Sequence, residues 1–297
     1  MKSQRLMCRV VALLGIGAGL LAAPALADCP EFLGSVDTPG SAMGVAVAGS
    51  YAYVADNIAG LRVIDVSTPA SPFEVGSVDT PGIAYGVALA GSYAYVADNI
   101  AGLRVIDVST PSTPEEVGFI DTPGQARGVA VAGSYAYVAD AESGLRVIDV
   151  STPASPFEEG FVDTPSAAYG VAVAGSYAYV ADADSGLRVI DVSTSSMPVE
   201  VGFVDTPGQA RGVAVLGSYA YVADRDAGLR VFDVSTPSTP VAVGLFDTPG
   251  WSEGVATASG YLYLADQSYG LALFLECGLF SDGFESGDTS AWSATVP

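Results

Sequence analysis

The sequence contains no histidine, a single lysine (Lys2) and only three cysteines. Without histidine, catalysis by a serine–histidine pair and metal binding through imidazole are excluded. Because Lys2 lies at the amino end, no lysine remains in the body of the chain to form a Schiff base. Clusters of lysine and arginine, which proteins use to bind phosphate backbones, are also missing. These absences exclude several enzyme classes and argue against nucleic acid as a partner.

The first 27 residues have the composition of a secretory signal. Lys2, Arg5 and Arg9 precede an apolar run from Val10 to Leu21, and the Ala-Leu-Ala of residues 25–27 is typical of a cleavage site. The apolar run is short for a transmembrane helix and no second run follows, so no membrane span is expected. The sequence therefore predicts a secreted protein, located in the periplasm, at the cell surface or outside the cell.

Acidic residues dominate the rest of the chain. After residue 27 there are eight arginines and 33 aspartates and glutamates, which gives a net charge of −25. A surface of this charge repels nucleic acid and anionic lipid headgroups, and it favours solubility and cations.

The chief positive feature is a repeat of 42 residues. Each repeat contains four short runs rich in Val, Ile and Tyr, separated by Gly, Pro, Asp and Ser, a pattern typical of strands joined by turns. In the first repeat these runs cover residues 44–49, 51–56, 61–67 and 74–79. A period of about 40 strand-forming residues indicates a radial array of small sheets. The repeats begin at Gly44, Gly86, Gly128, Gly170, Gly212 and Gly254.

Four strands repeated six times predict an all-β fold, a six-bladed β-propeller. The alternative all-β architecture, a β-solenoid, usually has coils shorter than 42 residues. The last repeat stops after its third strand, and residues 31–37 align with a fourth strand. We therefore expect the amino-terminal strand to complete the sixth blade, which leaves no exposed edge between the first and last blades.

Two cysteines lie at the expected joint. Cys277 aligns with Ser67 and Cys29 with Ser71, on either side of the loop that links the third and fourth strands of an ordinary repeat. A disulfide between them would replace the missing covalent loop, and exported chains favour such bonds. A free thiol or a metal-binding role is the alternative. The chain is thus divided into a signal peptide, a propeller and a carboxy-terminal tail, at residues 1–27, 28–277 and 278–297.

The segments Tyr51–Asp56 (YAYVAD) and Gly60–Ser67 (GLRVIDVS) resemble the LVIVD-repeat family. The resemblance covers residues 31–277 and departs in the sixth repeat, where residues 271–277 read LALFLEC. It implies a propeller with a surface or extracellular role, and it supplies no catalytic motif. The tail is similar to short segments at the ends of secreted bacterial proteins, and it is either a sorting signal or a polar terminus.

Departures from the repeat indicate where a ligand would bind. The connector before each first strand and the loop between the second and third strands both vary, and strand alternation predicts that both lie on one face of the disc. We expect the residues before the first strands to surround the mouth of the central channel, where arginine and aromatic side chains suit an acidic or sugar-like ligand. The predicted ligand-binding residues, beside Met43, are Tyr85, Arg127, Tyr169, Arg211, Trp251 and Glu253.

Three loops between second and third strands read D-x-[DE]-x-G, which is a fragment of a calcium loop. The alternative is that these acids are solvated turn residues, because residues repeated in every blade usually serve the fold. No late bidentate glutamate follows, so calcium is expected only weakly and no other cofactor is expected. The candidate ligands are Asp140, Glu142, Asp182, Asp184, Asp224 and Asp226.

Arg62 and Asp65 lie on opposite faces of the same strand, and both are replaced in the sixth repeat, by Ala272 and Leu275. Their joint loss suggests an ion pair between blades or a shared network.

Together these patterns predict a monomeric binding or interaction module that uses one face of a propeller, with a protein or a glycan at the cell surface as its partner. The alternative is a hydrolase or lyase that uses paired carboxylates on an extracellular polysaccharide. Two carboxylates facing each other in a deep channel would favour the enzyme, and a broad aromatic face would favour the binding module.

Overall fold

The computed structural model describes residues 33–258, 261–267 and 270–275. In this part of the chain all regular elements are β-strands, as the spacing of the apolar runs predicts. The strands are β1 (Gly44–Ala48), β2 (Tyr51–Ala55), β3 (Leu61–Asp65), β4 (Phe73–Val78), β5 (Gly86–Ala90), β6 (Tyr93–Ala97), β7 (Leu103–Asp107), β8 (Glu115–Ile120), β9 (Gly128–Ala132), β10 (Tyr135–Ala139), β11 (Leu145–Asp149), β12 (Phe157–Val162), β13 (Gly170–Ala174), β14 (Tyr177–Ala181), β15 (Leu187–Asp191), β16 (Val199–Val204), β17 (Gly212–Leu216), β18 (Tyr219–Ala223), β19 (Leu229–Asp233), β20 (Val241–Phe246), β21 (Ser252–Ala258), β22 (Tyr261–Asp266) and β23 (Gly270–Leu275).

Consecutive strands pair antiparallel to form six small sheets, or blades. Blade 1 has the order β1-β2-β3-β4, and blades 2 to 5 repeat that order. The sixth sheet contains β21-β22-β23 in the described residues. The chain is an all-β, six-bladed β-propeller, which confirms the predicted fold.

Neighbouring blades bury a face of each sheet against the other. Between blades 1 and 2, Tyr53, Leu61 and Val63 lie in one cluster with Val96 and Ile106. The same arrangement recurs at the next three junctions and, with Leu262 and Leu264, between blades 5 and 6. Burial of these apolar faces, at roughly 25 cal/mol for each Å² removed from water, is the main force that holds the blades together.

The repeated glycine at the start of each first strand is required by a close approach between blades. A Cβ built on Gly128 would lie 2.6 Å from the carbonyl oxygen of Tyr169 and 3.2 Å from the Cα of Gly170, the equivalent glycine of the next blade. Backbone atoms of a packed strand cannot move aside for a methyl group. In blades 1 to 5 the 42-residue spacing of glycine therefore reflects the crowding of each first strand against the next.

The junction between blades 6 and 1 differs from the other five in the described residues. A Cβ on Gly254 would meet no atom nearer than the Ala265 side chain of its own blade, at 3.8 Å. Val45 and Val47 of β1 are each 63% exposed, and Leu271 of β23 is 56% exposed. Apolar faces that are buried elsewhere in the ring are thus open at this junction.

In an ordinary repeat the fourth strand of one blade packs against the next blade. The segment before β1 packs against blade 1 in the same way. Val36 packs on Ala52, Val54 and Ile64. A Cβ on Gly34 would lie 2.5 Å from the Pro69 carbonyl oxygen, just as one on the equivalent Gly76 would lie 2.3 Å from that of Pro111. The amino-terminal segment therefore contacts blade 1 as a fourth strand of blade 6 would, but in the described residues the sixth sheet has three strands, and completion of that blade by this segment stays a prediction.

Several predictions from the sequence fall outside the described residues. These are the signal peptide and its cleavage site, the Cys29–Cys277 disulfide and the tail at residues 278–297, and all three stay predictions. In the described part of the chain no helix is long and apolar enough to cross a membrane.

Candidate functional site

The two variable segments of each repeat meet on one face of the disc, as predicted. The loop after the second strand of one blade forms an isolated β-bridge with the connector that precedes the first strand of the next blade. Asn57 bridges Ala84 in this way, and Arg225 bridges Ser252. The backbone bridge is the same at all five junctions where it occurs, so only the side chains that it carries differ from blade to blade.

Four of the predicted residues form a stacked arc beside the first strands. The guanidinium carbon of Arg127 lies 4.2 Å from the centre of the Tyr85 ring and 5.8 Å from that of Tyr169. The same Tyr169 ring also contacts Arg211, whose guanidinium carbon lies 4.0 Å from the ring centre. Contacts of a cation with an aromatic face contribute about 0.5–1 kcal/mol each at exposed sites. The order Tyr-Arg-Tyr-Arg across three junctions holds both guanidinium groups in place.

Arg127 and Arg211 have no carboxylate within ion-pair distance among the described residues. Nη2 of Arg127 donates to Oε1 of Gln125 at 2.6 Å, and Nη2 of Arg211 donates to Oε1 of Gln209 at 2.9 Å. The other six described arginines each pair with an acidic side chain. In a chain with so many acids, these two positive charges are left uncompensated at the mouth.

A second cluster lies beside the arc, around Trp251. Arg225 stacks on the Trp251 ring with its guanidinium carbon 4.1 Å from the centre. Nη1 of Arg225 donates to Oε1 of Gln209 at 2.6 Å, and its Nε lies 3.9 Å from Oε1 of Glu253. Gln209 thus accepts hydrogen bonds from both Arg211 and Arg225, and it joins the arc to this cluster.

Arg225 and Gln209 were not among the residues predicted from the sequence. Arg225 occupies a loop position that holds asparagine or alanine in the four preceding blades, and Gln209 aligns with Trp251 one repeat later. The signal was present as a further departure from the repeat. That departure could not identify Arg225 and Gln209 as site residues without the knowledge that the loop and the connector are bridged.

A cavity of about 380 Å³ opens at this cluster. Its lining includes Gly208, Gln209, Arg225 and Trp251, with the carboxyl groups of Asp184 and Asp226 at its sides. Nε2 of Gln209 donates to Oδ1 of Asp184 at 2.8 Å, which fixes the amide orientation used above. The cavity combines one aromatic face with several polar groups, the composition typical of sites for small polar ligands.

The remaining predicted residues are less closely placed. Met43 is about half exposed and lies at the open junction with the sixth blade. Glu253 contacts Arg225, and Nε2 of Gln267 donates to it at 3.3 Å. The structure therefore brings all six predicted ligand-binding residues into two linked clusters, and Met43 lies apart from them.

The acids of the D-x-[DE]-x-G loops separate into two groups. The first aspartate of each loop is buried and accepts hydrogen bonds from the connector. Asp140, for example, accepts from Oγ1 of Thr122 at 2.5 Å and from the amide of Gly124 at 2.8 Å. Burial raises the pKa of Asp140, although these hydrogen bonds and the nearby Arg146 act in the opposite direction. Asp182 and Asp224 have the same kind of partners.

The second acid of each loop, by contrast, is exposed at the surface; these are Glu142, Asp184 and Asp226. Within the described residues no three acidic or cysteine side chains converge on one point. Calcium binding at these loops stays a prediction.

The hypothesis that Arg62 and Asp65 share an ion pair or network is wrong. Nη2 of Arg62 lies 3.1 Å from Oδ1 of Asp79, in its own blade, and Oδ1 of Asp65 accepts from the Ser67 amide at 2.8 Å. Hydrogen bonding by the side chain of Ser67, and then by its amide, lowers the pKa of Asp65. The two residues point to opposite faces of β3, so each makes its own contacts within the blade.

Comparison with known proteins agrees with the repeat pattern. A family model described as LVIVD repeat matches residues 39–80, 81–122, 123–164, 166–206 and 207–248. No curated protein matches the chain. Among solved structures, a crystal structure of the computationally designed Ika8 protein is similar over 80% of this chain and 72% of that chain, with a TM-score of 0.62 and 8% identity. At that identity the similarity concerns the fold alone.

Proposed function

The chain belongs to the LVIVD-repeat family, and from that premise we propose that it is a secreted or cell-surface binding module. Its partner is an anionic protein or glycan, which binds at the mouth formed by Tyr85, Arg127, Tyr169 and Arg211. The single observation that carries the proposal is that Arg127 and Arg211 have no carboxylate partner among the described residues of a strongly acidic chain.

The arginines are arranged to receive a ligand. Each guanidinium has five N–H donors, and within the described part of the chain one of these donates in Arg127 and one in Arg211. The tyrosine rings restrict the side chains, so less conformational entropy is lost when a carboxylate or sulfate binds. Hydrogen bonds between an arginine and an anion are about twice as strong as neutral ones, and the planar fork gives them direction.

The alternative function, a carboxylate-dependent hydrolase or lyase, needs an acid with a raised pKa that faces the ligand. Burial raises the pKa of Asp182 and of Asp224, but both carboxylates accept hydrogen bonds from a threonine and a backbone amide beneath the surface. These groups hold the connectors, and their oxygens are engaged by the fold. The binding module is therefore the better supported function.

A binding screen against acidic glycans and acidic surface proteins tests the proposal. For any partner found, the double variant Arg127→Ala/Arg211→Ala is expected to weaken the Kd by at least about tenfold, because each arginine supplies charged hydrogen bonds. The variant Arg127→Lys/Arg211→Lys keeps the charge but loses the planar guanidinium, so its Kd should lie between those of the unaltered chain and the double alanine variant. Phe157→Ala, on the outer rim, is the matched control. Unchanged affinity in the double alanine variant would show that the mouth is not the binding site.

A further inference from the structure

We infer that the cavity beside Trp251 is a subsite for one pyranose ring of an acidic oligosaccharide. Trp251 is the stacking face, and Arg211 binds the charged group of a neighbouring sugar. This inference rests on the proposed function, because it chooses a glycan from the two partner classes and places it on the described residues. A peptide partner is treated as an outcome of the test.

The cavity exists at one junction because the repeat is broken there. The position of Trp251 holds Ser41, Ile83, Gln125, Ala167 and Gln209 in the preceding blades, and none of these presents an aromatic face. The bridge between Arg225 and Ser252 repeats the backbone geometry of the other junctions. This junction therefore differs from the others in its side chains alone, and it differs both in the loop, at Arg225, and in the facing connector, at Trp251.

Trp251 is held in place yet is not buried. Arg225 lies against its ring at 4.1 Å and is itself fixed by Gln209 and Glu253. Even so, Trp251 is 46% exposed and lines the cavity. A large aromatic surface that is supported by its neighbours and left accessible is suited to stack on the C–H face of a sugar ring, with little entropy lost on binding.

The polar lining suits hydroxyl groups. Asp226 accepts no hydrogen bond from the described residues, and Asp184 accepts one through Oδ1. Sugar hydroxyls are donors as well as acceptors, so they can pair with both carboxylates and with the free N–H groups of Arg225. A volume of about 380 Å³ lies at the lower end of the range for small-ligand sites, which fits one ring and not an extended chain.

The backbone at Arg225 is strained. Its φ is +46°, in the left-handed region that side chains other than Gly, Asn and Asp avoid. The equivalent residues Asn57, Asn99, Ala141 and Ala183 share this conformation, so the backbone is common to five blades and the arginine side chain is what differs in blade 5.

The network through Gln209 places the cavity next to the arc. Oε1 of Gln209 accepts from Arg211 at 2.9 Å and from Arg225 at 2.6 Å, so the two guanidinium groups share one acceptor atom. An oligosaccharide with one ring on Trp251 therefore has its next residue within reach of Arg211. A uronic acid or a sulfated sugar at that point would supply the missing negative charge.

The experiment compares three probes by calorimetric titration: hexagalacturonate, neutral xylohexaose and poly-L-glutamate. Each is titrated against the full chain and its Trp251→Ala, Trp251→Phe and Asp226→Asn variants. Hexagalacturonate should bind, Trp251→Ala should weaken it by about tenfold or more, and Trp251→Phe should recover part of the loss because a ring is restored. In a Trp292→Phe background, where Trp251 is the remaining tryptophan, its fluorescence should shift on sugar binding and not with poly-L-glutamate.

The outcomes separate this inference from the proposed function. If Arg127→Ala/Arg211→Ala abolishes binding of hexagalacturonate but Trp251→Ala and Asp226→Asn bind it like the unaltered chain, the subsite is wrong and the proposed function stands. If poly-L-glutamate binds and neither sugar does, the partner is an acidic protein and the inference is overturned. If xylohexaose binds through Trp251 and the arginine variants have no effect, the anionic part of the proposed function fails. Melting temperatures of all variants verify that each is folded.

Discussion

One backbone position is left-handed in five successive blades and is occupied by three residue types. Asn57, Asn99, Ala141, Ala183 and Arg225 all have φ between +40° and +55°. Asparagine tolerates this region, whereas alanine and arginine have a Cβ that crowds the following carbonyl group. The fold imposes the conformation through the bridge to the next connector, and the side chain adapts to it. The strain in blades 3, 4 and 5 is thus local and independent of the strands.

Ala183→Gly tests this strain. Loss of a buried methyl costs about 0.8 kcal/mol and glycine adds about 0.5–1 kcal/mol of chain entropy, while relief of the left-handed conformation returns about 1–2 kcal/mol. We therefore expect the free energy of unfolding in urea to change by less than about 0.5 kcal/mol. Ala181→Gly, a fully buried position in β14, is the control and should lose about 1–2 kcal/mol because no strain is relieved. Equal losses in both variants would show that Ala183 is not strained.

The sequence predicted that the repeated aspartates serve the fold, but it did not identify their partners. An aspartate in a tight turn ordinarily bonds to the backbone of its own turn, whereas Asp56 accepts from Thr38 and from the amide of Gly40, which precede it by 18 and 16 residues. The spacing alone gives no sign of this, because the connector and the loop meet only after the blade has formed. Residue type was therefore predictable here, and the partner was not.

At the scale of elements, each outer strand pair contains a bulge. In blade 3 the partner of Val147 is Gly160 and the partner of Ile148 is Glu158, so Glu159 has no residue opposite. Every other blade with a fourth strand has the same shift. Runs of strand-forming residues predicted the strand positions to within two residues, but a single inserted residue does not change such a run. The bulge could therefore not be predicted from alternation.

The first-strand glycines give a matched pair of variants. Gly128→Ala places a methyl 2.6 Å from the Tyr169 carbonyl oxygen, and it should lower the free energy of unfolding by about 1–3 kcal/mol, as overpacking does. Gly254→Ala, at the same position in blade 6, has no neighbour nearer than 3.8 Å and should cost less than about 0.5 kcal/mol. Urea unfolding of both variants measures the difference. If the two losses are equal, blade 1 packs against blade 6 in solution as closely as the other blades pack on one another.

At the scale of the whole molecule, carboxyl groups control the response to pH. Burial raises the pKa of Asp98, Asp140, Asp182 and Asp224, so the folded chain holds their protons more tightly than the unfolded chain. Between the usual value of 3.8 and the raised value, stability therefore increases as pH falls. Turn hydrogen bonds lower the pKa of Asp65, Asp107, Asp191 and Asp233, whose contribution is lost as pH falls below 3.8.

We expect maximum stability in weak acid, above a pH of about 3.8. The melting temperature should rise as pH is lowered from about 6 toward about 4, where carboxyl groups begin to take up protons. Both the burial cost of the buried aspartates and the repulsion among the charges after residue 27, whose net charge is −25, then decrease. No histidine titrates in this range to oppose the trend.

Salt separates the two causes of that trend. About 1 M NaCl shortens the screening length to about 3 Å, so it should raise the melting temperature at pH 8 by removing surface repulsion. It should leave the part of the pH dependence that comes from buried aspartates. A melting temperature that falls on acidification toward about pH 4 would contradict the assignment of raised pKa values.

The architecture and the face that carries the variable residues were predictable because both follow from periodicity. The linked clusters around Gln209 were predictable only in part, since they depend on which loop reaches which connector. The break in the repeat marked Arg127, Arg211 and Trp251 as unusual. It did not reveal that Arg225 would join them.

The junction between blades 6 and 1, beside Val36, has a consequence for how the chain folds. Blades 1 to 5 and the five junctions from blade 1 to blade 6 are built from residues close in sequence, which favours rapid ordering from one end as the chain emerges. Contact between the first and last blades requires the closure of a loop that spans almost the whole domain, and its entropy cost rises with loop length. Ring closure is therefore expected to be the last and slowest step of folding, and a newly made chain would exist for a time as an open arc of finished blades.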